Sequence, residues 1–220
     1  PTDSMLHAFY QHSRAMQFWK QKIMGATPTT RQTFQISPLT YWLESVINNY
    51  FGNSTIHAID YRPTLHTHWD NEKFEPGTLH LTLAEPTMFS TIESKRKENI
   101  RITGSLASAP RGVDVITAFG VLEQVFNPAD TISQIAKKCR KGGIFLMTTN
   151  TMSGFEYQIL GQYSHRIVPP YRLNLLTIEA TTHLLTKMGF EIIHCSTPGK
   201  LDVEFVADTV ARTPEIILPK

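Results

Sequence analysis

Residues 113–150 read VDVITAFGVLEQVFNPADTISQIAKKCRKGGIFLMTTN, and this stretch decides the fold. Its first part, Val113–Phe119, is an apolar run rich in β-branched residues and lies between two glycines, which predicts a buried strand. The run IFLMTTN at its end predicts a second buried strand, because it is short, apolar and preceded by glycines.

The residues between these two runs predict an amphipathic helix. Asn127 suits the N-cap and Pro128 suits the first helical position. One apolar helical face is formed by Ile132, Ile135, Ala136 and Cys139. The basic residues that follow favour the negative end of the helix dipole; they are Lys137, Lys138, Arg140 and Lys141. Gly142 and Gly143 are predicted to end the helix, one of them in the left-handed cap conformation.

A strand, a helix and a second strand joined in this way predict a βαβ unit with parallel strands. Alternating strands and helices continue on both sides, so the sequence predicts an α/β fold. We expect a doubly wound, Rossmann-like, mostly parallel sheet with helices on both faces, preceded by a helical lead-in. The expected organisation is a helical segment over residues 1–50 and one domain over residues 51–220.

Upstream of the central stretch, three helices are predicted: one in residues 6–24, one that begins at Ser37-Pro38, and one over residues 87–98. Strands are predicted at Thr55–Ile59 and Leu79–Ala84. Residues 99–105 predict a short strand or a loop. Downstream, residues 153–174 predict a loop, Thr177 caps a helix that runs to Met188, and Phe190–Thr197 predict a strand. Residues 200–210 fit either a strand or a helix.

Composition excludes several classes of protein. The formal net charge of the 220 residues is +2, and neither basic cluster is long, which argues against a dedicated nucleic-acid binder. No apolar run reaches the length of about 18 residues that a membrane span requires. Two cysteines cannot form a disulfide framework, so Cys139 and Cys195 predict buried free thiols in a reducing compartment, the cytoplasm. The chain can also be part of a larger protein.

Two segments carry a resemblance to a known family. FGVLEQVFNPADTISQIAKKCRKGGIFLMTTN resembles the segment after the fourth strand of class I S-adenosylmethionine-dependent methyltransferases, which typically reads "vLEHv.dP…LkpGG.l.lttPN". PPYRLNLLTIEATTHLLTKMGFEII is similar to the "HLN-F-sPe-L..lL…GFe" segment of the same enzymes. The resemblance is strong over residues 113–193, weak over residues 54–105, and extends to the helical lead-in.

The resemblance implies that S-adenosylmethionine binds at the carboxyl ends of the first strands. Glu85, which ends the second strand, would accept hydrogen bonds from the ribose hydroxyls, because a carboxylate suits a diol. Asp60 would match the acidic residue that ends the first strand. The turn after the fourth strand would line the cofactor pocket with Phe119, Gly120, Val121 and Glu123. The acceptor would be a small molecule.

Three positions depart from the family pattern. Residues 56–69 read IHAIDYRPTLHTHW, so side chains at Tyr61–Thr64 replace the glycine-rich turn that lets backbone approach the cofactor. Gln124 replaces a histidine and cannot take up a proton near neutral pH. Tyr171-Arg172 replaces the later histidine; arginine stays protonated and can pair with an anionic substrate group or simply with a nearby acid. Gln124, Tyr171 and Arg172 are therefore only weak catalytic candidates.

Two hypotheses follow from this mixture of retained and lost features. The first is a divergent methyltransferase that still uses S-adenosylmethionine. The second is a pseudoenzyme, a binding or scaffold module that kept the fold and lost the cofactor. A partner protein or a second copy of the chain could supply missing groups. A metal site is not expected: His66 and His68 would share a strand face with His57 and His80 nearby, but solvated or loosely packed histidines explain this cluster better.

Overall fold

The computed structural model describes residues 4, 5, 8, 13, 14, 37–63, 69, 78–85, 99–164, 167, 172–197 and 203–216. The strands are β1 (Ile56–Tyr61), β2 (Leu79–Ala84), β3 (Ile100–Thr103), β4 (Val113–Phe119) and β5 (Cys139–Thr148). The helices are α1 (Ser37–Tyr50), α2 (Pro128–Lys138), α3 (Phe155–Leu160), α4 (Ile178–Lys187) and α5 (Val203–Arg212). A 3-10 turn spans Gly161–Tyr163.

The five described strands form one parallel sheet in the order β3-β2-β1-β4-β5. The chain builds outward from β1 to β3 and then returns across the sheet to β4, so the order reverses between β1 and β4. This reversal is the switch point at which open parallel sheets bind their ligands, beyond the carboxyl ends of the strands. The predicted Rossmann-like sheet is confirmed.

Both faces of the sheet are buried, which explains why the strand sequences are nearly continuous apolar runs. Ile56 and Ala58 of β1 pack toward α1, whose Leu43 and Ile47 are 1% and 2% exposed. Ile59, from the alternate set of β1 positions, packs on the opposite face with Ile135 of α2. Each fully buried aliphatic side chain contributes about 1.5–3 kcal/mol, so the helical lead-in at α1 is part of the core.

The crossing from β3 to β4 contains no helix in residues 104–112, all of which are described. Leu106 and Ala109 of this segment are buried against the face that α2 covers. Its carbonyl groups need donors, and the buried Lys138 supplies them, because its Nζ donates to the carbonyl oxygens of Ala107 and Ala109 at 2.6 Å each. Burial, with a smaller effect of Arg111, lowers the pKa of Lys138. Lys138, which was predicted to interact favourably with the helix dipole, thus also binds the backbone of the crossover segment.

Helix α2 begins as predicted, with Asn127 accepting a hydrogen bond from the Asp130 amide at 3.1 Å, but it ends earlier than predicted. It stops at Lys138, Cys139 is already extended, and Gly142-Gly143 lie within β5. A Cβ on Gly143 would lie 2.7 Å from Cys139 Sγ and 3.0 Å from the Asp114 carbonyl. Close packing at an irregular strand start therefore requires glycine here, since the β4–β5 register shifts between Val113 and Val115.

Three further predictions are wrong. Residues 155–160, predicted as a loop, form the short helix α3, which is anchored by the single buried side chain of Leu160 and is too short to show periodicity. Phe190–Thr197, predicted as a strand, are not in one: Phe190 packs on Phe145 with ring centroids 5.3 Å apart, whereas Ile193 is 66% exposed. Cys195 is exposed and not buried; Cys139 is half-buried.

The remaining predictions are either confirmed, decided by the structure, or concern residues that it does not describe. The Thr177 cap is confirmed, since its side chain accepts from the Ala180 amide, and the undecided segment over residues 200–210 is mainly the helix α5. The predicted helix over residues 87–98, almost all of that over residues 6–24, His66, His68 and Tyr171 lie outside the described residues. No helix within the described ranges has both the length and the apolar character needed to cross a membrane.

Asp114 links three strands at their amino ends. Its Oδ2 accepts from the His57 amide of β1 at 2.8 Å, and its Oδ1 accepts from Arg140 Nε of β5 at 2.6 Å. Burial alone would raise the pKa of Asp114, but these two hydrogen bonds and the guanidinium charge together lower it below the ordinary 3.8. The ionised form is therefore the one that stabilises the fold.

We expect Asp114→Asn to lower the free energy of unfolding by about 1 kcal/mol at neutral pH, because a charge-assisted contact is lost. A carboxyl whose pKa is lowered by folding stabilises above its unfolded pKa and loses that effect as pH falls through the folded value. The difference between wild type and variant should shrink below about pH 3.8. Urea unfolding at neutral and acid pH measures it. Asp208→Asn, which breaks the exposed 3.0 Å pair with Arg212, is the control and should change little. An unfolding difference that persists undiminished in acid would contradict this role.

Candidate functional site

Strands β1 and β2 are each followed by a residue with a left-handed backbone. Arg62 follows β1 and Glu85 follows β2, and each has φ of 51°; among the described residues no other non-glycine residue has positive φ. The Arg62 amide donates to the Ala84 carbonyl at 2.8 Å, and the Glu85 amide donates to the Thr103 carbonyl at 2.9 Å. Such a conformation costs on the order of 1–3 kcal/mol per residue, so the surrounding structure imposes it at this edge of the sheet.

Glu85 presents a half-buried carboxylate at the tip of β2. Its Oε1 accepts from the Leu106 amide of the β3–β4 crossover at 3.1 Å. Its Oε2 lies 3.5 Å from Tyr61 Oη, at the end of β1. The carboxylate is thereby turned toward the face of the sheet that α2 covers.

Asp60 has a different environment from Glu85. Its side chain is 2% exposed, and its Oδ1 accepts from Thr117 Oγ1 of β4 at 2.7 Å. Thr117 Oγ1 in turn accepts from the indole Nε1 of the buried Trp69 at 3.1 Å. The structure directs Asp60 toward β4 and Glu85 toward Leu106, so the two carboxylates do not form one paired site.

The turn after β4 contains the remaining predicted cofactor residues. Phe119 is half-buried and packs against Trp42 of α1 with ring centroids 6.3 Å apart. Gly120 has φ of 66°, and its amide donates to the Thr148 carbonyl at 2.9 Å. Val121 is 1% exposed and its side chain is part of the core. Among the described residues, a Cβ on Gly120 would meet Glu123 Oε1 at 3.6 Å, which is an ordinary van der Waals contact.

Glu123 is buried, with 2% exposure, and its carboxylate binds other parts of the chain. Its Oε2 accepts from Thr149 Oγ1 at 3.0 Å and its Oε1 accepts from Asn150 Nδ2 at 2.5 Å. Its backbone carbonyl accepts from the Leu173 amide at 2.7 Å and the Asn174 amide at 3.2 Å. These contacts hold together three segments at the edge of the site: the turn after β4, the end of β5 and residues 172–174.

Gln124 and Arg172, two of the three weak catalytic candidates, lie at the same edge. Gln124 is 8% exposed, and its Nε2 donates to the Gly120 carbonyl at 2.9 Å, which supports the turn. Arg172 is half-buried and directly precedes Leu173, which is bonded to Glu123. Tyr171 lies outside the described residues. Of the two described candidates, neither side chain can act as a proton acceptor near neutral pH.

A nucleoside cofactor needs hydrogen-bond acceptors for its ribose hydroxyls and turns whose backbone it can approach closely. The Glu85 carboxylate at the tip of β2 provides an acceptor suited to ribose hydroxyls, and Gly120 presents no side chain at the turn after β4. Arg62 keeps the left-handed backbone that a glycine would supply after β1, although it carries a side chain. Glu85 at the tip of β2 therefore suits the ribose of the cofactor. The turn after β1 has the backbone conformation that the cofactor requires, but it carries side chains where the family pattern has glycine.

Sequence reasoning did not single out Tyr61, Leu106, Asn150 and Asn174 as individual site residues. Asn150 and Asn174 had a signal, since both stand in the family-like patterns ending TTN and RLN. Asn174 Nδ2 donates to the carbonyls of Leu122 and Val125, at 3.2 and 2.5 Å. Leu106 acts through its backbone amide, which the sequence does not indicate.

Metal ligands are absent from the part of the chain that the structure describes: no three His, Cys, Asp or Glu side chains there are arranged to hold an ion. His57 and His80, paired in register on β1 and β2, stack with ring centroids 4.7 Å apart on the exposed surface. They lie at the amino ends of the strands, at the opposite edge of the sheet from Glu85.

Together, the parallel sheet, its switch point and the site at the strand tips define a class: the Rossmann-like fold of S-adenosylmethionine-dependent methyltransferases. A family model described as "Methyltransferase domain" matches residues 41–195, and the chain belongs to this family. No curated protein sequence matches it.

Two solved structures with TM-scores above 0.5 agree on the fold. Magnesium protoporphyrin IX methyltransferase from Synechocystis PCC 6803, solved with bound SAH, is similar with a TM-score of 0.62 and 12% identity, covering 90% of this chain and 94% of that one. A possible histamine N-methyltransferase from Thermotoga maritima has a TM-score of 0.53 and 14% identity, with 86% and 82% covered. The chain spans 61% of the cyclopropane synthase MmaA2 from Mycobacterium tuberculosis, which covers 69% of this chain at 15% identity and a TM-score of 0.47.

The backbone at Arg62 gives a testable prediction. Both Arg62→Gly and Arg62→Ala remove the same side chain, but only alanine is strained at positive φ, so we expect the glycine variant to be the more stable by about 1 kcal/mol. At the exposed Arg101 of β3 the order should reverse, because glycine in a strand costs roughly 0.5–1 kcal/mol relative to alanine. Urea unfolding of all four variants measures this, and the same order of stability at both positions would refute a left-handed Arg62.

Proposed function

We propose that this chain binds S-adenosylmethionine at the carboxyl ends of β1, β2 and β4 and transfers its methyl group to a small-molecule acceptor. The observation that carries the proposal is the Glu85 carboxylate, which the Leu106 amide holds at 3.1 Å at the tip of β2. A carboxylate fixed at this point is suited to accept hydrogen bonds from a ribose. Membership of the methyltransferase domain family supports the same assignment.

The residues present suggest how catalysis would work without a general base. The bound cofactor supplies an already reactive sulfonium, so positioning and orientation of the acceptor can provide much of the rate enhancement. Gln124 is committed to the Gly120 carbonyl, and Arg172 stays protonated. In our proposal Glu123 keeps residues 172–174 beside the turn after β4, and Arg172 offers a cation to an anionic group of the acceptor.

The alternative is a pseudoenzyme, a binding or scaffold module that has lost the cofactor. A specific observation favours it: Arg62 and Pro63 occupy the turn after β1, where the family pattern has small residues, and Pro63 offers no N–H to a ligand. A partner protein or a second copy of the chain would then be the expected ligand. We propose a reducing, cytoplasmic location for either function, since Cys139 and Cys195 are free thiols.

Calorimetric titration with S-adenosylmethionine and S-adenosylhomocysteine distinguishes the two functions. We expect micromolar binding by the wild-type chain and a loss of at least tenfold, about 1.4 kcal/mol, in Glu85→Ala, because the ribose would lose its charged acceptor. Glu191→Ala, which removes an exposed carboxylate from the segment after α4, is the matched control and should bind like wild type. The absence of both heat and a thermal shift with either ligand would favour the pseudoenzyme.

A further inference from the structure

The two oxygens of the Glu85 carboxylate have unequal partners. Oε1 accepts a hydrogen bond at 3.1 Å from the amide of Leu106, a residue only 1% exposed. Oε2 lies 3.5 Å from the hydroxyl of Tyr61, which is longer than the distance of about 2.7–2.8 Å usual between oxygens. Each oxygen of an ionised carboxylate can accept about two hydrogen bonds, so Oε1 keeps part of its accepting capacity for a ligand. Oε2, whose one contact is long, keeps nearly all of its capacity.

The spacing of Tyr61 Oη and Glu85 Oε2 suits a third oxygen between them. Two atoms 3.5 Å apart can both lie about 2.7 Å from a ligand hydroxyl, which would accept from Tyr61 and donate to Glu85. Without such a ligand, the two groups share one long and weak contact.

Tyr61 is held rigidly enough to act in this way. It is paired with Ala84 in the sheet, is 6% exposed, and packs in the core on the face covered by α2. Burial raises the pKa of Tyr61, and the Glu85 charge raises it further, so the hydroxyl remains a neutral donor at physiological pH. The residue stands at the start of the turn in which the sequence departs from the family pattern.

We propose that Tyr61 determines specificity for the sugar: its hydroxyl and Glu85 Oε2 together bind one ribose hydroxyl. This inference rests on the proposed function. It identifies Tyr61, at the start of the altered turn, as a direct ligand contact beside the carboxylate. The site would then depend more strongly on the ribose hydroxyl that Tyr61 contacts than on the other.

The test is calorimetric titration of wild type and Tyr61→Phe with S-adenosylhomocysteine and with its 2′-deoxy and 3′-deoxy forms. We expect Tyr61→Phe to weaken S-adenosylhomocysteine about tenfold. One of the two deoxy forms should bind wild type and variant equally, because it lacks the hydroxyl that Tyr61 contacts. Tyr50→Phe, which removes a hydroxyl from a tyrosine 55% exposed at the end of α1, is the control and should leave all affinities unchanged.

Each other outcome has a definite meaning. Equal weakening of all three ligands by Tyr61→Phe, or no weakening, overturns the inference while wild-type binding upholds the proposed function. Tighter binding by Tyr61→Phe also overturns it, because the hydroxyl would then obstruct the site. If wild type binds none of the three ligands, the proposed function fails and this inference fails with it.

Discussion

The left-handed backbone at the tips of β1 and β2 is the constraint on which the site depends. Arg62 and Glu85 each continue the hydrogen-bonded ladder of the sheet by one more amide before the chain turns away. This turns the Glu85 carboxylate toward the Leu106 amide and toward Tyr61, at the end of β1, the strand that borders the switch point. The Arg62 side chain therefore does not by itself change the course of the backbone after β1, because the backbone retains the conformation that glycine would allow.

A second set of contacts fixes the opposite side of the site. Glu123 is one of the residues that carries the family resemblance, and with Asn150 and Asn174 it connects the turn after β4, the end of β5 and the segment before α4. Both oxygens of its carboxylate bind other parts of the chain, so in our proposal Glu123 supports the cofactor site by holding the surrounding backbone. Loss of either partner would be costly, because it would leave part of a buried carboxylate without a hydrogen bond.

The sequence predicted the sheet well because its strands are apolar on both faces and its helix caps are specific. Val113–Phe119, the Asn127-Pro128 helix start and the Thr177 cap were all found as expected. The predictions were wrong where contacts between distant segments determine the structure. Gly143 does not end the helix but is required by the proximity of Cys139 Sγ. Phe190–Thr197 pair with no strand in the described part of the chain. In the site, sequence could nominate Glu85 but not its partners, since a backbone amide and a side chain from another strand leave no local pattern.

The central claim is that the tips of β1 and β2 hold the ribose of a nucleoside cofactor. The most direct measurement is a crystal structure of the chain grown with S-adenosylhomocysteine. Our account predicts the ribose against Glu85 Oε2 and Tyr61 Oη, with the adenosine beside the turn that begins at Gly120. Ligand density at another edge of the sheet, or a ribose held away from Glu85, would contradict it.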